Sequence, residues 1–214
     1  MAIVQNPITG RTRKKYGTSV FSKQFGKNTM RTKAESVKNP KTPKQLEQRA
    51  KFSLMVDLSR IILGFLRTGF KQAAIGMSAF NVFMKTNIHD VISGTYPSYT
   101  IDFTKLIVSK GSLTGVVGGS ATANAGHKVT IAWTDNSGTC DALATDKALA
   151  LIINYDKRQV AIDTTTKTRT DATNQITVDP SWVGDDVYVY LAFMNEAGAK
   201  IADSSYLDTL TILT

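Results

Sequence analysis

Residues 187–193 read VYVYLAF, and this stretch decides the fold class of the 214-residue chain. Its apolar side chains recur at every second position, which is the period of a β-strand with one face turned toward a core. Residues 129–133 and 149–153 show the same alternation. Three such segments predict that the C-terminal half of the protein is built from β-sheets.

From residue 99 onward the sequence predicts eight short strands, separated by turn signals such as the Gly118-Gly119 pair and the Asn-Ser-Gly triplet at 136–138. The predicted strands cover residues 99–103, 106–108, 128–133, 148–155, 159–163, 175–179, 187–193 and 206–213. Short strands at this spacing are typical of an antiparallel β-sandwich. We therefore expect an immunoglobulin-like or fibronectin type III-like sandwich over residues 98–214.

The preceding segment predicts two helices. Thr42 can cap a helix, Pro43 suits its first position, and Gln45 completes a capping box. Apolar residues at spacings of three and four then predict a helix over 43–67. Ser78 begins a second helix over 79–92. We expect the two helices to pack as a hairpin that occupies residues 42–97.

The first 41 residues form a strongly basic segment. Residues 1–51 contain 13 Lys and Arg against two Glu, whereas the rest of the chain has 13 basic and 15 acidic residues. The net charge of +9 therefore belongs entirely to the first quarter of the sequence. We predict an extended basic arm over 1–41, with short extended pieces anchored by Val20, Phe21 and Phe25. The fold class is then α+β: an arm, a helical hairpin and a sandwich.

The residues that usually carry chemistry are isolated in this sequence. His89, His127 and the single cysteine, Cys140, have no partners at catalytic or metal-binding spacing. The turn carboxylates do not match a calcium loop, and the glycine-rich residues 115–119 do not match a phosphate loop. We therefore expect no enzymatic activity, no metal, no cofactor and no small-molecule substrate.

The N-terminus has no apolar segment of the length that a signal peptide needs, and no run of the sequence is long and apolar enough to span a membrane. We expect synthesis and assembly in the cytoplasm, incorporation into a virion as one destination, and no membrane partner.

The candidate contact residues all lie in the arm. They are Arg11, Arg13, Lys14, Lys15, Tyr16, Lys23, Lys27, Arg31 and Lys33. One interpretation is an assembly arm, whose backbone adds to a neighbouring sheet and whose charges meet an acidic surface, such as the body of the next copy. A second is a nucleic-acid contact formed with the first helix and weakened by salt. A third is a solvated extension without a partner.

Several motifs resemble a family of uncharacterised proteins found in Bacteroidetes, which is catalogued as a domain of unknown function. The motifs are PKQLEQRAKF at 43–52, SAFN at 78–81, GTYP at 94–97, Ile101-Asp102, GSLTG at 111–115, WTDNSG at 133–138, TDKA at 145–148 and VYLAF at 189–193. The matching segments extend over most of residues 43–207. The resemblance implies no activity and no catalytic residues.

The predicted function is that of a structural or assembly protein, such as a component of a phage virion or another large assembly. Its partners would be other copies of itself or other structural proteins. Nucleic-acid binding through the arm and the first helix is the alternative. A third class, a carbohydrate-binding sandwich using Trp182 and Tyr188, rests on fold analogy alone.

Overall fold

The computed structural model describes residues 2–3, 14–37 and 39–214. The chain divides into two compact units, Met1–Gln45 and Leu46–Thr214, which we call the N-terminal unit and the body. The boundary falls in the first turn of the first helix. It lies four residues beyond the end that the sequence predicts for the basic arm.

The N-terminal unit contains a four-stranded antiparallel sheet. Its strands are β1 (Ala2–Ile3), β2 (Lys14–Tyr16), β3 (Ser19–Gln24) and β4 (Lys27–Thr32), in the order β1-β4-β3-β2. Residues 14–32 of the predicted extended arm fold into an antiparallel meander of β2, β3 and β4, and β1 pairs with β4. Gly17 and Gly26 make the two tight turns with φ of 58° and 83°, a region that glycine enters without strain.

Three helices follow: α1 (Pro43–Ile61), α2 (Leu63–Gly69) and α3 (Ala79–Asn87). The single helix predicted over 43–67 is thus wrong in detail, because Ile62 interrupts it with φ −96° and ψ 11°. Gly69 ends α2 where a Cβ would lie 2.6 Å from the carbonyl oxygen of Val108, so only glycine fits this close approach.

The second predicted helix is too long at its C-terminal end. Ser78 caps α3 as expected, with its hydroxyl accepting from the Asn81 amide at 3.2 Å. The helix ends at Asn87, whose buried side-chain amide donates to the carbonyl oxygens of Phe83 and Ile107. The chain then enters a hairpin of β5 (Ile92–Thr95) and β6 (Ser98–Ile101), joined through a cis Tyr96–Pro97 peptide.

Seven further strands form the sandwich. They are β7 (Ser120–Asn124), β8 (Lys128–Ala132), β9 (Lys147–Asn154), β10 (Gln159–Asp163), β11 (Thr173–Thr177), β12 (Asp186–Met194) and β13 (Ser205–Thr211). One sheet has the order β11-β8-β7 and the other β10-β9-β12-β13, with all pairs antiparallel. The first, second and fifth strands thus face the other four, which is the arrangement of a fibronectin type III-like sandwich. The predicted fold class is confirmed.

One predicted strand is wrong, and one observed strand was not predicted. Residues 106–108 form no strand, because the amides of Val108 and Ser109 donate to the Ser204 hydroxyl instead of a neighbouring strand. The strand β7 was missed because its sequence, SATAN, has low β propensity and only one buried apolar side chain, Ala121.

The body has three layers, because the central strands β9 and β12 are buried on both faces. On one face Leu151, Ile153 and Tyr190 pack in the same core as the helices. On the other face Ile152 and Phe193 pack in the core of the sandwich. The helices were predicted only to pair as a hairpin. In the structure they also share a core with the outer face of the sheet β10-β9-β12-β13.

Candidate interaction surface

Six cationic residues of the predicted contact set lie in the described part of the N-terminal unit. All six are exposed: Lys14, Lys15, Lys23, Lys27, Arg31 and Lys33. Within residues 14–37 they are opposed by a single acidic residue, Glu35. Arg11, Arg13 and the side chain of Tyr16 lie outside the described residues.

Strand register distributes these cations over two different faces of the N-terminal sheet. Lys14, Phe21 and Met30 are direct neighbours across β2, β3 and β4. Lys23 lies two residues along β3 from Phe21 and therefore on the same side. With Phe25 in the following turn, these five residues define what we call the apolar face.

The opposite side is more strongly charged. Lys15, Val20 and Arg31 are neighbours across the three strands, and Lys27 lies on the same side of β4 as Arg31. We call these four residues the basic face. The sheet therefore presents two chemically different surfaces.

The apolar face is substantially open to solvent. Phe25 is 54% exposed and Met30 is 36% exposed, while Phe21 is half-buried. Phe21, Lys23 and Phe25 line an open depression of about 520 Å³. Exposed phenylalanine and methionine side chains grouped on one face are typical of a binding surface.

The sheet has almost no interior of its own. Thr29 is the only buried side chain among residues 14–37 whose side chains the structure describes. Its hydroxyl lies 2.7 Å from the hydroxyl of Ser22 on the neighbouring strand. Small sheets need a covered apolar face for stability. Because Thr29 is the only described side chain of residues 14–37 that is buried, the N-terminal sheet lacks such cover from its own side chains.

Ion pairing distinguishes the cations of this sheet from those of the body. In the body Lys157 lies 2.8 Å from Asp185, and Lys200 lies 3.2 Å from Asp141. The Thr114 hydroxyl and amide, with Lys200, lower the pKa of Asp141 to about 2. Among the residues that the structure describes, no ion pair involves any of the six cations of the N-terminal sheet.

A buried arginine at one end of the sandwich is a second polar site. The Arg169 Nη2 lies 3.1 Å from Asp146 Oδ2, and both side chains are fully buried. The same nitrogen donates to the Thr114 carbonyl oxygen at 2.9 Å, and the guanidinium stacks over the Phe193 ring at 3.8 Å. Burial lowers the pKa of Arg169, while Asp146 opposes that shift.

This arginine has a structural role. Its carbonyl oxygen accepts from the Trp133 indole at 2.8 Å, so the site joins three loops to the sandwich core. No local sequence signal indicates this site, because Arg169 and Asp146 are distant in the chain and each resembles a surface residue.

The remaining sequence candidates lie apart from one another. His89 and Cys140 are exposed. Trp182 is buried and its indole donates to Gln159, while Tyr188 is half-buried and stacks on Phe103. The hypothesis of a carbohydrate-binding sandwich depends on Trp182 and Tyr188. Because Trp182 is buried, its ring is not available to stack on a sugar.

Neither a metal-holding group nor a membrane-spanning helix is found among the described residues. In that part of the chain, no group of three His, Cys, Asp or Glu side chains could hold a metal ion. Over the same residues, no helix has both the length and the apolar character needed to cross a membrane.

The family model of a family of unknown function, DUF6266, matches residues 11–208. The chain belongs to this family. The DUF6266 match covers nearly the whole body and most of the N-terminal sheet. The bacterial phylum suggested by the sequence motifs stays a prediction. A comparison with curated proteins gives no match.

Solved structures provide distant similarities to this DUF6266 member. The chicken CNTN1 FN1–FN3 domains match with 8% identity and a TM-score of 0.39, over 55% of this chain and 37% of that chain. The fn3 domain of human contactin 1 matches with 7% identity and a TM-score of 0.34, over 50% of this chain and 84% of that chain. The assignment of the sandwich rests on its strand order rather than on these similarities.

Proposed function

We propose that this DUF6266 protein is a non-enzymatic structural or assembly protein. Its N-terminal sheet would contact neighbouring subunits in a large assembly, such as a phage virion. The observation that carries the proposal is the apolar face, which exposes Phe25 and Met30 beside lysines that have no ion pair among the described residues.

Covering this face would be energetically favourable. Complete burial of one phenylalanine or methionine side chain contributes about 1.5–3 kcal/mol. A partner surface that covers Phe21, Phe25 and Met30 would therefore supply the interior that the sheet lacks. Lysines around such a surface would add orientation and faster association more than affinity.

The architecture of the body supports a structural role as well. A fibronectin type III-like sandwich is a fold that commonly serves as a structural or interaction domain. The fully buried Arg169 guanidinium pairs with Asp146 and donates to the Thr114 carbonyl oxygen, and these contacts hold loops together. His89 and Cys140 lie on the surface.

The proposal is tested by the mass of the protein in solution. The full chain should form an oligomer by light scattering, and the variant Phe21→Ser/Phe25→Ser/Met30→Ser should be a folded monomer. A matched control, Ile75→Ser/Val117→Ser/Leu143→Ser, changes three exposed apolar residues of the body and should keep the oligomer.

Deletion of residues 1–41 gives an independent check, because it removes the sheet but leaves the cap and first turn of α1. The truncated chain should remain folded and monomeric. If it forms the same oligomer as the full chain, the N-terminal sheet is not the assembly element.

Nucleic-acid binding is the second candidate function, and the basic face is the observation that favours it. Lys15, Lys27 and Arg31 project from one side of the sheet, and α1 adds further cations. Such binding should fall steeply with salt, and Lys15→Gln/Lys27→Gln/Arg31→Gln should make the salt dependence shallower. No binding of a duplex DNA or single-stranded RNA probe at about 50 mM salt would exclude it.

A further inference from the structure

A group of tyrosines lies on the helix-side face of the sheet β10-β9-β12-β13. Tyr188 and Tyr190 alternate on β12, and Tyr206 lies opposite Tyr190 on β13. Phe103 lies between Tyr188, which stacks at 3.8 Å, and Tyr155, which meets it edge-on at 5.3 Å. Tyr155, Tyr188 and Tyr206 all remain partly accessible.

Two exposed carboxylates adjoin these rings. Asp186 lies two residues before Tyr188 and on the same face of β12, and its Oδ1 accepts from the Thr211 hydroxyl at 2.7 Å. Asp156 follows Tyr155 directly in the β9–β10 turn. Burial raises the pKa of Tyr188, and Asp156 and Asp186 raise it further.

The cations around these rings are mostly occupied. Arg60 pairs with Asp57 and Lys105 pairs with Asp102, at 3.3 and 3.0 Å. Lys157 pairs with Asp185. Arg158 lies near Tyr155 and lowers its pKa against the larger effect of burial. Asp156 and Asp186 form no ion pair with any residue that the structure describes.

We infer that Tyr155, Tyr188, Asp156 and Asp186 form an acidic tyrosine patch that receives the apolar face of the N-terminal sheet from a second copy of this chain. The inference rests on the proposed function and adds the receiving surface to it. It also makes the contact heterologous, since one copy contributes the sheet and the next contributes the patch.

The two surfaces match in composition. Phe21, Phe25 and Met30 on one side would meet tyrosine rings on the other, and aromatic and methionine side chains are enriched in the cores of interfaces. Methionine sulfur and aromatic rings also attract one another directly. The apolar parts of both surfaces are therefore suited to bury each other.

The charges match in the same way. Lys14 and Lys23 lie beside Phe21 on the apolar face, while Asp156 and Asp186 lie beside the tyrosines. A lysine that approaches the patch would meet both a carboxylate and the face of a tyrosine ring. The second copy is the natural partner because the chain concentrates its positive excess in the N-terminal segment and leaves the body slightly acidic.

A heterologous contact has a consequence for assembly. Each copy keeps a free patch or a free sheet until a ring closes, so repeated contacts produce rings or filaments rather than only symmetric dimers. Association should therefore continue beyond two subunits.

A charge-exchange experiment on the full chain tests the inference. Asp156→Lys/Asp186→Lys and, separately, Lys14→Glu/Lys23→Glu should each weaken self-association about tenfold or more in sedimentation velocity. The variant that carries all four changes should regain association, because the charges are again opposite. Controls with the same charge change are Asp90→Lys/Glu196→Lys and Lys85→Glu/Lys110→Glu, which are exposed residues outside the two surfaces and should associate like the unmodified chain.

The outcomes separate this inference from the proposed function. If the serine variants of the apolar face become monomeric while the Asp156→Lys/Asp186→Lys variant associates normally, the sheet binds elsewhere and the patch is overturned. If the four-change variant stays dissociated while both two-change variants are folded, Lys14 and Lys23 do not pair with Asp156 and Asp186. That result also overturns the inference. A full chain that is monomeric at every concentration would contradict both proposals.

Discussion

The central strands of the body and the strands of the N-terminal sheet share one backbone geometry but differ in how their side chains are covered. In β9 every residue from 148 to 154 is buried, because helices lie on one side and the second sheet on the other. Along β3 and β4 Thr29 is the only buried side chain among those that the structure describes. Strand pairing therefore does not by itself cover the side chains of a sheet, and we propose that a partner covers the N-terminal sheet.

The largest effect should come from the buried ion pair of the body. Asp146→Ala leaves the Arg169 guanidinium buried without its carboxylate, and we expect a loss of about 3–5 kcal/mol in the free energy of unfolding. Denaturant titration measures this loss. The double variant Arg169→Met/Asp146→Leu should recover most of it, because no charge remains buried. A loss below about 1 kcal/mol for Asp146→Ala would show that the pair is dispensable.

The second prediction concerns the two faces of β9. Leu151→Ala and Ile152→Ala should each cost about 2–5 kcal/mol, since both side chains are fully buried but on opposite faces. Denaturant titration of the two variants compares the faces directly. If Leu151→Ala costs much less than Ile152→Ala, the helices do not cover the sheet, and the contrast with the N-terminal sheet is weaker.

Acid should destabilise the body through carboxylates that are paired in the folded state. Asp141 has a folded pKa of about 2, below its ordinary value of about 3.9. A lowered folded pKa means that the stabilisation is present above about pH 4 and is lost as the pH falls toward 2. Asp141→Asn should therefore flatten the fall in melting temperature over this range. An unchanged pH profile would contradict the role of Thr114 and Lys200.

The smallest effect on stability should come from the N-terminal sheet. Phe25→Ser changes a side chain that is 54% exposed, so we expect the unfolding free energy to change by no more than about 0.5 kcal/mol. Self-association, measured in parallel by light scattering, should nevertheless weaken. Val37→Ser, at a site that is 81% exposed and outside the sheet, should change neither quantity.

Sequence periodicity was sufficient to predict the sandwich. It was not sufficient to predict that helices cover one face of the sandwich. The alternation in β8 and β12 predicted the strands, and the capping signals at Thr42 and Ser78 predicted the helix starts. Residues 148–153, ALALII, form a continuous apolar run, which indicates burial on both faces rather than the alternating strand predicted above. The covering of the sheet by the helices follows from that run.

Long-range side-chain contacts could not be predicted. The pairing of Arg169 with Asp146 depends on how three loops meet at one end of the sandwich, and neither residue has a local signal. The basic segment was recognised from charge, but its division into an apolar and a basic face depends on strand register. Register in turn depends on the turns at Gly17 and Gly26, which fix which residues share a face.

The most direct test of the central claim is hydrogen–deuterium exchange of the full chain at increasing protein concentration. Amides of β9 and β12 should be protected at every concentration, because the body supplies their cover. Amides of β3 and β4 should gain protection as the protein associates and lose it again on dilution. Equal protection of β3 and β4 in dilute and concentrated protein would contradict the account, since the N-terminal sheet would then need no partner.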